Sequence, residues 1–212
     1  MPGVAAVLLA AGESTRMGEP KALLPWRGVP LIAHQTQALH DAGYGPTIVV
    51  LGHQGALLRA VLPKLPSLVV VDNPHYLQGR STSVVHGLRE APPDAAGVLM
   101  LNVDQPRPPA LLRRLREAFE ESLPPLAVVA YNGKSGHPIL FSAALIPELL
   151  AITEKRQGMR EVVARHHDSR LLVEAGTPLA LTDLNTWADY KVALKLRDGP
   201  ASDSPSPSKG PP

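Results

Sequence analysis

The sequence predicts one α/β domain, a three-layer α/β/α sandwich around a mostly parallel sheet. Two observations carry that prediction. Short, continuous apolar runs rich in Val, Leu and Ile recur along the chain, without the in–out alternation of a sheet that has one wet face. Between them lie segments with apolar residues at helical spacing. Strands buried on both faces and separated by helices make a parallel sheet covered on each side. A length of 212 residues, 44% hydrophobic and 19% charged, suits one such domain with a full core.

The elements follow in order. Val4 to Leu9 reads as a buried strand, and Leu31 to Ala42 as a helix ended by Gly43. Thr47 to Leu51 is a second strand, and Gly55 to Leu62 a short helix closed by Pro63. Leu68 to Val71 is a third strand, followed by a helix over Ser83 to Glu90. Val98 to Leu101 is a fourth strand. Pro109 to Glu121 is a helix with proline in its first turn, where a missing N–H costs little. Leu126 to Ala130 and Pro138 to Phe141 read as strands, Gly158 to His166 as a helix, Leu171 to Val173 and Leu179 to Leu181 as short strands, and Thr186 to Leu196 as the last helix. Residues 1–198 form the predicted domain. Residues 199–212, nearly all Pro, Ser and Gly, read as a disordered tail.

Composition excludes several function classes. The 21 basic and 19 acidic residues leave a formal charge of +2 with no long basic run, so nucleic acid is not indicated as a partner. With no cysteine there are no disulfides, thiolate metal sites or cysteine nucleophiles. Oxygen ligands remain, and those suit magnesium. The apolar run Val4 to Ala11 is too short for a membrane span and lacks the basic start of a signal peptide, so the expected location is cytoplasmic.

In open parallel sheets, ligands bind beyond the carboxyl ends of the strands. The loops after the first, third and fourth strands therefore carry the candidate site. The first reads Leu9-Ala10-Ala11-Gly12-Glu13-Ser14-Thr15-Arg16-Met17-Gly18-Glu19-Pro20-Lys21. Small residues at 10 to 12 let backbone N–H groups approach a triphosphate. Gly12 and Gly18 can take positive φ, so successive N–H groups can form an anion nest. Arg16 and Lys21 add cations. Neither the P-loop spacing nor the dinucleotide fingerprint G-x-G-x-x-G is present. A solvated polar turn is the competing reading of the same residues.

That string, LAAG-x-S-x-R-M-G-x-x-K, resembles the signature of the nucleotidyltransferases that build molybdenum-cofactor dinucleotides, and more closely their cytidylyltransferase branch. Guanylyltransferase relatives usually show LAGG there, with an acidic residue before the lysine; Ala11 and Pro20 stand at those places here. The resemblance continues through Asn73 to Leu88, Asp104-Gln105-Pro106, Gly136-His137-Pro138 and Asp183 to Thr186, and covers about residues 3 to 196. It implies the Rossmann-like nucleotide-diphospho-sugar transferase fold.

It also implies roles. Leu9 to Gly12, Arg16 and Lys21 would bind nucleotide, with Gly79, Ser81 and Ser83 at the base and ribose. Asp72 is a further candidate for the base, or a turn former, and the serines are equally helix caps. Asp104 would hold Mg²⁺, with Asn185 (or Asp183) as second ligand; the competing readings are helix caps. The family usually has Asp-x-Asp-Thr-Pro at the latter site, and this chain has Asp183-Leu184-Asn185-Thr186-Trp187, nearer the guanylyltransferase pattern. Gly136, His137 and Pro138 would line the acceptor pocket, where a charged His137 would help an anionic acceptor. Of the family's Gly-Asp-x-Gly-x-Arg, only Gly158 and Arg160 remain.

The implied reaction is transfer of CMP from CTP to the terminal phosphate of molybdopterin or molybdenum cofactor with release of pyrophosphate, with Arg16, Lys21 and Asp104 as its catalytic residues. Its implied partners are those small molecules, and a molybdoenzyme or its chaperone; no membrane is involved. The rivals are guanylylation from GTP, transfer to another phosphate acceptor such as a sugar phosphate, and a nucleotide-gated chaperone that delivers cofactor without releasing pyrophosphate.

Overall fold

The computed structural model describes residues 3–14 and 17–197. The proposed tail and Arg16 lie outside them. Strands β1 (Val4–Ala10), β4 (Thr47–Leu51), β5 (Leu68–Asp72), β6 (Gly97–Asn102), β7 (Leu126–Tyr131), β8 (Lys134–Ser142) and β9 (Arg170–Glu174) form a seven-stranded sheet in the order β5-β4-β1-β6-β8-β7-β9. A separate two-stranded hairpin, β2 (Pro25–Trp26) with β3 (Val29–Pro30), precedes the first helix. β5, β4, β1 and β6 run parallel, so their carboxyl ends share one edge, with Leu9 opposite Asn102 and Ala10 opposite Leu51. β8 is antiparallel to both neighbours, and β7 and β9 are parallel.

Period-two alternation sorts the apolar side chains into two layers. Val4, Ala6, Leu8 and Ala10 of β1 pack with α1 (Leu31–Asp41), α2 (Gly55–Ala60) and α4 (Pro109–Ser122). Ala5, Val7 and Leu9 pack with α3 (Arg80–Arg89), α5 (Ile146–Leu150) and α6 (Met159–Arg165). A smaller cluster of Met17, Leu24, Trp26, Leu179, Leu184 and Tyr190 seats α7 (Trp187–Arg197) beside the hairpin. That cluster fixes the stretch before α7 close to the carboxyl edge.

The predicted sandwich is thus observed, with local corrections. Leu179 to Leu181 is not a strand: Pro178–Leu181 is a 3₁₀ turn, entered by Thr177, whose hydroxyl accepts from Leu179 N–H, with φ of Pro178 fixed by its ring. α3 starts at Arg80, ahead of the expected Ser83, so Arg80 to Thr82 are its first turn rather than loop. The hairpin and α5 carry too few residues for a periodic signal.

α3 packs against the sheet at Gly87, where there is no room for a side chain. A Cβ there would stand 2.4 Å from Val7 Cγ1 and 2.9 Å from Val50 Cγ2. This close seating sets the height of the amino-terminal end of α3 above the carboxyl edge of β1.

Candidate active site at the carboxyl edge

A cleft of about 410 Å³ opens at that edge. Leu9 to Gly12 and Ser14 form one wall, Asn102 to Asp104 the floor, Tyr76, Arg80 and Ser83 the opposite wall, and Lys21 and Asn185 one end. In the first loop the left-handed conformation falls on Ser14 (φ 55°) and Gly18 (φ 72°), not on Gly12. Ser14 closes the loop on itself: its hydroxyl accepts from Lys21 N–H at 3.0 Å and its carbonyl from Met17 N–H at 3.1 Å. The start of the loop is also held from β4, since His53 N–H donates to the Ala11 carbonyl.

The centre of the site is an ammonium between two oxygens. Lys21 Nζ donates to Asp104 Oδ2 at 3.0 Å and to Asn185 Oδ1 at 3.1 Å. Asp104 comes from the turn after β6 and Asn185 from the approach to α7. Leu184 N–H donates to the Asp104 carbonyl at 2.8 Å and ties these two segments together. Asp183 is turned elsewhere: it accepts from Gln105 Nε2 at 3.0 Å and lies 3.8 Å from Arg107. Of the alternatives at 183 and 185, the structure brings Asn185 to Asp104. The pair presents two hard oxygens converging on one cationic point. That donor set fits magnesium, which takes one or two protein oxygens and completes its shell with water and phosphate.

Arg107, which sequence reasoning missed, anchors this arrangement from below. Its side chain is fully buried. Nε donates to the His137 carbonyl, Nη1 to the Pro106 and Thr182 carbonyls, and Nη2 to the Ala180 carbonyl. Gln35 on α1 braces the same turn, accepting from Arg107 N–H and donating to the Gln105 carbonyl. Burial pushes the Arg107 pKa down to about 10, against the opposing pull of Asp183 and Asp104, so it remains a cation at neutral pH. The only sequence signal was one charged residue set among prolines.

The opposite wall corrects several expectations. Arg80 and Ser83, three residues apart on α3, share the face that lines the cleft. Ser83 Oγ accepts from Asn73 Nδ2 at 2.9 Å, which leaves its own proton for a ligand. Ser81 is turned away by the helical rotation; its N–H donates to Glu154 and its hydroxyl lies against Gly158. Gly79 packs on the Glu154 side chain. Asp72 is not at the site, because strand alternation places it on the α2 face, where Arg59 donates to it at 2.7 Å. Gly136, His137 and Pro138 do not line the cleft. Gly136 lies against the Ala180 carbonyl, where a Cβ would be 2.2 Å away. The expectation of a charged His137 fails as well: burial lowers its pKa below the usual histidine value, outweighing Asp183, so it is neutral at pH 7.

Comparison with known proteins places the chain in a family. The model of the MobA-like NTP transferase domain matches residues 6–170, which takes in most of β1, the first loop, α3 and the Asp104 turn. The chain belongs to this family. It is a nucleotidyltransferase of the Rossmann-like NTP transferase fold. The molybdenum cofactor cytidylyltransferase of Escherichia coli is 26% identical, over 91% of this chain and 96% of the relative. The nicotine blue oxidoreductase of Paenarthrobacter nicotinovorans is 30% identical over 76% of this chain and 81% of that protein. Among solved structures, Rv0371c of Mycobacterium tuberculosis matches with a TM-score of 0.77 and 29% identity, over 92% of this chain and 98% of its own. Some relatives are longer: the match spans 35% of the bifunctional IspD/IspF enzyme of Erythrobacter litoralis and 22% of the GlmU protein of Leifsonia xyli.

Proposed function

We propose that this nucleotidyltransferase uses CTP and Mg²⁺ to transfer CMP to the terminal phosphate of molybdopterin or molybdenum cofactor. The observation that carries the reading is the convergence of Lys21, Asp104 and Asn185 at the mouth of a loop of small residues. The near full-length likeness to the E. coli cytidylyltransferase supports the choice of nucleotide and acceptor. A solved structure of Rv0371c is a manganese complex, which supports a divalent ion in this fold. The oxidoreductase relative is named for another chemistry; a lysine, a carboxylate and small loop residues around one cleft favour a triphosphate here.

In this reading a phosphate oxygen of the acceptor attacks the α-phosphorus of CTP, and the bond from that phosphorus to the bridging oxygen breaks, releasing pyrophosphate. The attacking oxygen is already anionic, so no strong general base is needed. Catalysis is positioning and charge stabilisation. The backbone of residues 9–12 cups the phosphates, while Lys21 and Arg80 offset charge on the transferring and leaving groups. Arg16 is assigned the same task from the sequence. Ser83 addresses the base or ribose. Asp104 and Asn185 would hold the magnesium ion, which would supply positive charge against the phosphates. Gly136 to Pro138 would shape the acceptor side from behind Arg107, with His137 neutral. Among the described residues no helix is long and apolar enough to cross a membrane, and a cytoplasmic enzyme that hands its product to a molybdoenzyme or its chaperone completes the reading.

The test is pyrophosphate release from CTP and from GTP, each with molybdopterin or with a sugar phosphate as acceptor. Release from CTP with molybdopterin is expected. Release only from GTP would replace the cytidine assignment with guanylylation, and release only with the sugar phosphate would replace the acceptor. Nucleotide binding with no pyrophosphate from any pair would favour the delivery chaperone.

A further inference from the structure

Lys21 ends where a metal ion on Asp104 and Asn185 would sit. Its Nζ is within about 3 Å of an oxygen of each, and the side chains of Lys21 and Asp104 are 13% and 19% exposed. An ammonium and a divalent cation cannot share those two oxygens, because like charges so close repel and a site this enclosed is poorly screened. A bare ion must therefore displace the ammonium and break its charge-assisted hydrogen bond to Asp104. It would gain only two protein oxygens in return, with water filling the rest of its shell.

A triphosphate changes that balance from both sides. Its oxygens give Lys21 another anionic partner and give the ion further hard ligands. We propose that Lys21 makes this site select the metal–nucleotide complex over the free metal ion, its ammonium closing the Asp104–Asn185 pair until a triphosphate draws it away. The inference rests on the reading that this pair holds the ion and adds to it an order of binding. The local build suits a swinging side chain. Lys21 opens the short 3₁₀ turn Lys21–Leu23 and its N–H is fixed by Ser14 Oγ, so the backbone stays while the four-carbon stem moves. Among the described residues, no group of three or more His, Cys, Asp or Glu side chains could hold a metal unaided.

The test measures Mn²⁺ affinity of the full chain by electron paramagnetic resonance of free Mn²⁺, with and without CTP, in the wild type, Lys21→Met and Lys21→Met/Asp104→Asn. Without CTP, Lys21→Met should bind Mn²⁺ about tenfold or more tightly than the wild type. The double variant should lose that gain, which places it at Asp104. With CTP the wild type should bind Mn²⁺ tightly, and by reciprocity Mn²⁺ should tighten CTP by the same factor. Equal or weaker Mn²⁺ binding by Lys21→Met, or a gain that survives Asp104→Asn, would overturn the inference while the wild-type response to CTP leaves the proposed function standing. A wild type that binds no Mn²⁺ even with CTP would overturn both.

Discussion

Asp104 and Asn185 arrive in the cleft from distant parts of the chain and meet on one ammonium. Losing the carboxylate removes the one anionic protein ligand proposed for the ion and leaves Lys21 with the Asn185 oxygen alone. Asp104→Ala is expected to keep the wild-type thermal midpoint and to lose about 3 kcal/mol of transition-state stabilisation, on the order of a hundredfold in kcat. Steady-state pyrophosphate release beside a melting curve checks it, and near wild-type turnover would remove the assigned role. The residue scale also shows what a sequence exposes. Lys21, Asp104 and Asn185 were legible because each stands in a local string at the end of a strand or start of a helix. Arg107, Gln35 and Arg80 were not, because their positions follow from tertiary packing: four carbonyls from three separate segments define Arg107, and no local pattern announces that.

At the scale of elements, the seating of α3 on β1 and β4 fixes where Arg80 and Ser83 stand over the cleft. Gly87→Ala would place a methyl group against Val7 and Val50 and push the helix outward. A destabilisation of about 1–3 kcal/mol, read from urea unfolding, is expected from such overpacking, with weaker nucleotide binding as the face of α3 shifts. An unchanged unfolding midpoint would contradict the close seating. The parallel strands β1, β4, β5 and β6 were legible within a residue or so: β1, β4 and β6 are buried on both faces and so apolar nearly throughout, and the half-buried edge strand β5 still shows as a run of Leu and Val. Asp72 and Ser81 were misassigned for a related reason. A sequence places them at the right edge of the sheet, but strand alternation and helical rotation decide which face they take. Leu179 and Ala180 are apolar because the 3₁₀ turn buries them, Leu179 beside Leu184, while Leu181 is exposed; apolarity alone does not distinguish that from a strand.

For the whole molecule, the layer architecture was readable from the pattern of runs, while the antiparallel placement of β8 between β6 and β7 was not, since strand direction leaves no trace in composition. The folded state also stores a response to pH. Burial, aided by Arg27, lowers the pKa of His34 from 6.5 to about 4, and burial lowers that of His137 as well. Both are held neutral, so their contribution to stability is complete above the ordinary histidine pKa and is lost as pH falls below about 6.5, for His34 toward 4. The melting midpoint should decline across that window, and His34→Leu should flatten the decline; an identical slope in the variant would show that His34 does not contribute. The proposed boundary at residue 198 predicts that removing residues 199–212 leaves the midpoint and the pyrophosphate assay unchanged. The most direct test of the site is a crystal structure with Mn²⁺ and a CTP analogue that cannot release pyrophosphate, with the ion located by anomalous scattering. The account predicts the ion on Asp104 and Asn185, the triphosphate along residues 9–12, and Lys21 on a phosphate oxygen. An ion bound elsewhere, with Lys21 still between Asp104 and Asn185, would contradict it.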